Sequence, residues 1–102
     1  MLTPEVSEHL NTLKAESVVL FGLESHVCVY QTVKDLLNRR LNVFLASDGL
    51  ASRFEEDHEA ALNQMRIWNA VVSTSESLMF ELIQDSKHEK FKDLSTLIKS
   101  RI

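Results

Sequence analysis

Cysteine and proline each occur once in this chain and glycine only twice, and each shortage excludes something. A single cysteine cannot close an internal disulfide, so the expected setting is a reducing one, the cytoplasm. Scarce glycine and proline leave few positions for open turns, so loops must be short and most residues must lie in regular elements. No apolar run approaches the ~20 residues that cross a bilayer, so no membrane partner is expected. The first residues, Met1-Leu2-Thr3-Pro4-Glu5, do not resemble a signal peptide. There is no basic block; the net charge is −4 with both signs interspersed, which argues against nucleic acid as a partner. What is present is 44% hydrophobic and 25% charged residues over 102 positions, enough for one globular unit with a modest core.

Taken in order, the pattern alternates helix and strand. Thr3-Pro4-Glu5 reads as N-cap, first-turn proline and first-turn acid, opening a helix over about 4–14 with Val6, Leu10 and Leu13 at helical spacing. Residues 17–22 are apolar on consecutive positions, which predicts a strand covered on both faces. A helix over about 26–39 buries Val29, Val33, Leu36 and Leu37 beside Tyr30, and Arg39-Arg40 closes its last turn. Residues 42–47 form a second apolar strand, ended by Asp48-Gly49. Ser52-Arg53-Phe54-Glu55 has the form of a capping box for a helix to about 68, with Phe54, Ala61, Leu62 and Met65 inward. A short strand at 70–73, a helix with Leu78, Met79, Leu82 and Ile83 inward, and a last helix on Phe91, Leu94 and Ile98 complete the chain.

Strands alternating with helices imply a parallel sheet. With three strands adjacent in order, 17–22 lies on an edge, and it carries none of the charge or proline that protects edges. It has the character of an inner strand, so the chain is expected to pair with something, a second copy included.

In open parallel sheets, ligands bind outside the carboxyl ends of the strands. The only cysteine, Cys28, follows such an end, in Gly22-Leu23-Glu24-Ser25-His26-Val27-Cys28. With Ser25 as N-cap, Cys28 falls in the first helical turn, where the dipole and the free amides favour a thiolate and an oxyanion. Two readings stay open on residue type alone: a small buried hydrophobe among valines, or a reactive thiol. His26 is either a neighbour of that thiol or a loop histidine, and Asp48 either approaches the site or bonds loop amides. His9, His58 and His88 lack metal-ligand spacing and read as solvated helix positions. No metal or cofactor is expected.

The run Val18-Val19-Leu20-Phe21-Gly22-Leu23-Glu24-Ser25-His26-Val27-Cys28-Val29, followed by Gln31-Thr32, resembles the nucleophile segment of the isochorismatase-like cysteine hydrolases. That family has an apolar strand, a glycine, a small polar residue three positions on, Cys-Val, and a threonine shortly after. The likeness continues through Leu36-Leu37, residues 39–43, 48–53, 73–77 and 88–92, the last two blocks resembling eukaryotic isochorismatase domain-containing proteins. It implies a three-layer α/β/α, Rossmann-like fold with a six-stranded parallel sheet. Residues 1–102 would be a partial domain, its C-terminal half, holding only the last three strands. It further implies Cys28 as nucleophile on a C–N or related bond of a small molecule, a cis peptide at Leu23–Glu24, and an oxyanion hole from the Glu24 and Cys28 amides.

The match also has a gap. The family's triad includes an Asp and a Lys, and neither has a counterpart here; Lys14 and Lys34 map to other elements. Without its base and cation a thiol loses its usual route of proton transfer. The expectation is therefore hydrolase ancestry with little or no activity from these residues alone. The alternative is an incomplete half-domain acting as an interaction module, self-associating through strand 17–22. The C-terminal Ser100-Arg101-Ile102 resembles a peroxisomal tripeptide with Ile in place of Leu.

Overall fold

The computed structural model describes residues 2–101; Ile102, the last residue of the C-terminal tripeptide, lies outside the described residues. The elements are α1 (Pro4–Leu13), β1 (Ser17–Leu23), a π-helical turn (Ser25–Val29), α2 (Tyr30–Asn38), β2 (Asn42–Ala51), α3 (Glu55–Ile67), β3 (Val71–Ser73), α4 (Ser75–Ile83) and α5 (Phe91–Lys99). The strands form one parallel sheet in the order β1-β2-β3. The expected three-strand parallel α/β architecture is what the chain adopts, with β1 on an edge.

One face of the sheet is well packed. Val43 and Leu45 of β2 are fully buried against Val33 and Leu36 of α2 and Ala61, Leu62 and Met65 of α3. Val18, Leu20 and Val72, their neighbours in register, extend the same face. Tyr30 and Trp68 pack with ring centres 4.8 Å apart, tilted 50° to each other, where α2 meets the end of α3. Replacing a fully buried leucine such as Leu45 by alanine typically costs about 2–5 kcal/mol.

The opposite face departs from expectation. Continuous apolarity in β1 predicted cover on both sides, yet Val19, Phe21 and Leu23 are exposed, Phe21 by 73%. The reason is that α4 lies over β2 and leaves a groove beside β1. Leu82, expected inward, stands 74% exposed at its margin, with Val19, Phe44 and Leu78 also lining it. Leu78 is the buried residue of α4, and Phe80 and Phe91 pair at 5.9 Å to hold α5.

Three further expectations are corrected. β2 does not end at Asp48-Gly49; it continues to Ala51. Leu20 pairs with Leu45 and Gly22 with Leu50, so residues 46–49 bulge opposite Phe21 and pairing then resumes. The capping box does not form either. Phe54 is the N-cap of α3 with no side-chain bond, and the Ser52 hydroxyl is engaged elsewhere. Phe54, preceding the helix, escapes its periodicity and is 65% exposed. Arg39 and Arg40 follow α2 rather than closing its last turn; Arg40 takes φ 64°.

Scarce glycine explains that last detail. Lys14, Arg40 and Asn69 take positive φ just past α1, α2 and α3, the place glycine usually fills. In each case the following amide closes on a carbonyl five residues back: Ala15 on Leu10, Leu41 on Leu36, Ala70 on Met65. Glycine is spent instead at Gly22, whose φ of 124° few other residues adopt.

Candidate functional site

The candidate site forms where β1 leaves the sheet. Gly22 turns the chain, the Leu23–Glu24 peptide bond is cis, and the π-helical turn begins at Ser25. The Glu24 carbonyl accepts from the amides of both Val27 (3.1 Å) and Val29 (3.2 Å), gathering the turn around one oxygen. Ser25 was expected as N-cap; Glu24 takes that place, and Ser25 lies within the turn. Cys28 therefore sits fourth in a five-residue π-helical turn rather than in the first turn of an α-helix. Cys28 is an exposed residue, which removes the reading of it as a core hydrophobe. The Thr32 hydroxyl donates to the Cys28 carbonyl at 2.7 Å, tying the turn to α2.

Three consecutive residues of this loop are tied to the link between β2 and α3 and to the first turn of α3. Glu24 Oε2 accepts from the Arg53 amide at 3.1 Å and from Arg53 Nε at 3.2 Å. The first of these bonds holds the Glu24 carboxyl below its ordinary range; desolvation opposes it, and the Arg53 guanidinium lowers it further. Ser25, fully buried, shares a hydrogen bond with His58 Nδ1 at 2.8 Å. His26 Nδ1 bonds the Ser52 hydroxyl at 2.9 Å, and its Nε2 stands 3.8 Å from Asp57. His26 thus faces Ser52 and Asp57, bracing the loop.

Asp48 lies on the bulge of β2. Its carboxylate accepts from the Ser75 hydroxyl (2.5 Å) and the Ser75 amide (2.7 Å), at the head of α4. Those two bonds, the hydroxyl's foremost, keep its carboxyl below the ordinary range. Asp48 thus bonds the amide and hydroxyl of the first residue of α4.

His58 was read as a solvated helix position, and the structure corrects this. The signal was present in the spacing: 58, 61, 62 and 65 lie on one face of α3, and the last three are buried. Among the described residues, no group of three or more His, Cys, Asp or Glu side chains is placed to hold a metal ion.

An open parallel sheet flanked by helices, with a reactive residue type exposed beyond the carboxyl end of a strand, defines an α/β protein whose site lies where such folds bind small ligands. Comparison with known proteins gives the family. The isochorismatase domain model matches residues 1–77, and the chain belongs to the isochorismatase family. Isochorismatase domain-containing protein 1 of Salmo salar is 42% identical over 101 residues, covering 98% of this chain and 36% of that protein. A solved structure described as the MAR1 ribonuclease of Caenorhabditis elegans superposes with a TM-score of 0.90 at 41% identity, covering 96% of this chain and 50% of that one. A nicotinamidase of Bacillus subtilis superposes with a TM-score of 0.66 at 26% identity, over 68% of this chain and 38% of that one. The chain spans half or less of the length of each of these relatives.

Proposed function

We propose that these residues carry the nucleophile half of a cysteine hydrolase that cleaves a C–N or related acyl bond of a small molecule. The observation that carries this reading is the place of Cys28, exposed beyond the carboxyl end of β1 on a turn whose preceding residues are held in place. The B. subtilis neighbour is named as an amidase, which supports an acyl substrate. The C. elegans neighbour is named as a ribonuclease, but a net charge of −4 with interspersed signs offers no basic track for a phosphate backbone.

The chemistry is that of thiol acyl transfer. The Cys28 thiolate attacks the acyl carbon, a C–S bond forms, and the carbonyl π electrons move onto oxygen. The Glu24 and Cys28 amides receive that oxyanion. Its collapse re-forms the carbonyl and expels the leaving group, giving a thioester for water to hydrolyse. Proton transfer to the leaving group, and from the water that hydrolyses the thioester, belongs to the family's Asp and Lys, which have no counterpart among these residues. Alone, then, the chain has little or no turnover. A second reading, an interaction module joined through β1, is supported by the open apolar face of Val19, Phe21 and Leu23.

Alkylation by iodoacetamide tests the nucleophile directly, because Cys28 is the only thiol. The folded chain should react at least several-fold faster at pH 7 than the same chain unfolded in urea. A folded rate equal to or below the unfolded one would sink the nucleophile reading.

A further inference from the structure

We infer that His58 is a positioning residue: by holding the buried Ser25 hydroxyl, it fixes the turn that presents Cys28. The inference rests on the nucleophile reading of Cys28 and adds a residue to it. Among the described residues, Ser25 is the buried polar side chain, with no exposed surface at all. Burying a hydroxyl is unfavourable unless it is hydrogen-bonded. His58 supplies that bond at 2.8 Å from the first turns of α3. An apolar pair would fill the same space without that cost. What the hydrogen bond adds is direction, since its strength falls steeply away from linearity.

The position of the pair shows what is being directed. Ser25 follows the Glu24 carbonyl on which the turn closes, and Cys28 stands three residues further along the same turn. Of the contacts on either side, Glu24 to Arg53 is exposed and His26 to Asp57 spans 3.8 Å, while His26 to Ser52 is, like Ser25 to His58, partly buried. Exposed contacts such as the first hold a loop weakly. Ser25 is the fully buried member of the three, so losing its bond frees the middle of the loop while Val29 and the Thr32–Cys28 bond still anchor the end of the turn. His58 acts on the thiol through Ser25.

The test compares iodoacetamide rates at Cys28 for the natural chain, His58→Phe, His58→Asn and Ser25→Ala, with urea unfolding curves to establish that each variant folds. Asparagine can place an amide nitrogen or oxygen near the Nδ1 position and keep a bond to Ser25; phenylalanine fills the space without one. His58→Phe and Ser25→Ala should each lower the rate by most of the several-fold gained on folding, to near that of the unfolded chain, and His58→Asn should restore it to within about twofold of the natural chain. The inference is overturned if folded His58→Phe and Ser25→Ala stay within twofold of the natural chain, or if asparagine rescues no better than phenylalanine. If His58→Phe does not fold, Ser25→Ala and His58→Asn carry the comparison. If neither His58→Phe nor Ser25→Ala folds, the pair holds the fold rather than the turn, and the inference is overturned. A natural chain no faster than its unfolded form removes the nucleophile reading and this inference together. A fast natural chain with unaffected variants removes this inference alone.

Discussion

Replacing Phe21 by serine separates what the chain needs for its own fold from what it offers to a partner. Phe21 is 73% exposed on the open face of β1, beside Val19 and Leu23. A phenylalanine buries roughly 150–250 Å² when enclosed, so on the order of 140 Å² of this ring stays in water. At about 25 cal/mol per Å², covering it would contribute roughly 3 kcal/mol. None of that is realised in the isolated fold, so Phe21→Ser should change the unfolding free energy of the monomer by no more than about 0.5 kcal/mol. Serine also keeps the Cβ that lies over Gly49. Association through this face should weaken on the order of 100-fold, the factor that about 3 kcal/mol represents. Sedimentation velocity across a concentration series reads association, and urea unfolding of dilute protein reads stability. The reasoning fails if the natural chain is a monomer at every concentration, or if Phe21→Ser leaves association unchanged. It also fails if the variant loses several kcal/mol of monomer stability, which would mean the ring is covered within the chain.

Two other perturbations address the site. Gly22→Ala meets no neighbouring atom within 4 Å but must adopt φ 124°, so it should cost about 1–3 kcal/mol through the backbone alone; an unchanged urea midpoint would show that the turn relaxes. Asp48 and Glu24 both have carboxyls held below their ordinary ranges. Their contribution to stability is present above the unfolded-state values near 3.8 and 4.5 and is lost as pH falls through the lower folded values. Asp48→Asn should therefore flatten the acid limb of a stability–pH curve and cost at most about 1 kcal/mol at pH 7, from the weakened bonds to Ser75. An acid limb identical to that of the natural chain would contradict the assignment.

The sequence makes some parts of this structure legible for definite physical reasons. The apolar run at 18–21 as a strand and the inward placing of Leu78 in α4 and Leu94 in α5 are local signals, and the structure follows them. The misses are long-range. Asp48-Gly49 is a turn signal, but the strand survives it because Gly22 and Leu23 re-pair with Leu50 and Ala51 beyond the bulge. Ser52 fits a capping box, but His26, 26 positions away, takes its hydroxyl. The location of Cys28 past a parallel strand could be read from pattern; its exposure could not, because a lone cysteine between valines fits a core equally well. The open face of β1 shows the same limit. Its apolar pattern records that cover is favourable without saying what supplies it.

The central claim is that Cys28 accepts an acyl group and that these residues stop there. Para-nitrophenyl acetate tests it. Attack by the thiolate forms an acetyl thioester on Cys28 and releases para-nitrophenolate, which is read by absorbance while the adduct is read by mass spectrometry. The account predicts a rapid burst approaching one nitrophenolate per chain, a single acetyl adduct on Cys28, little turnover afterwards, and no burst from Cys28→Ala. A natural chain with no burst, or a burst that persists in Cys28→Ala, would contradict it.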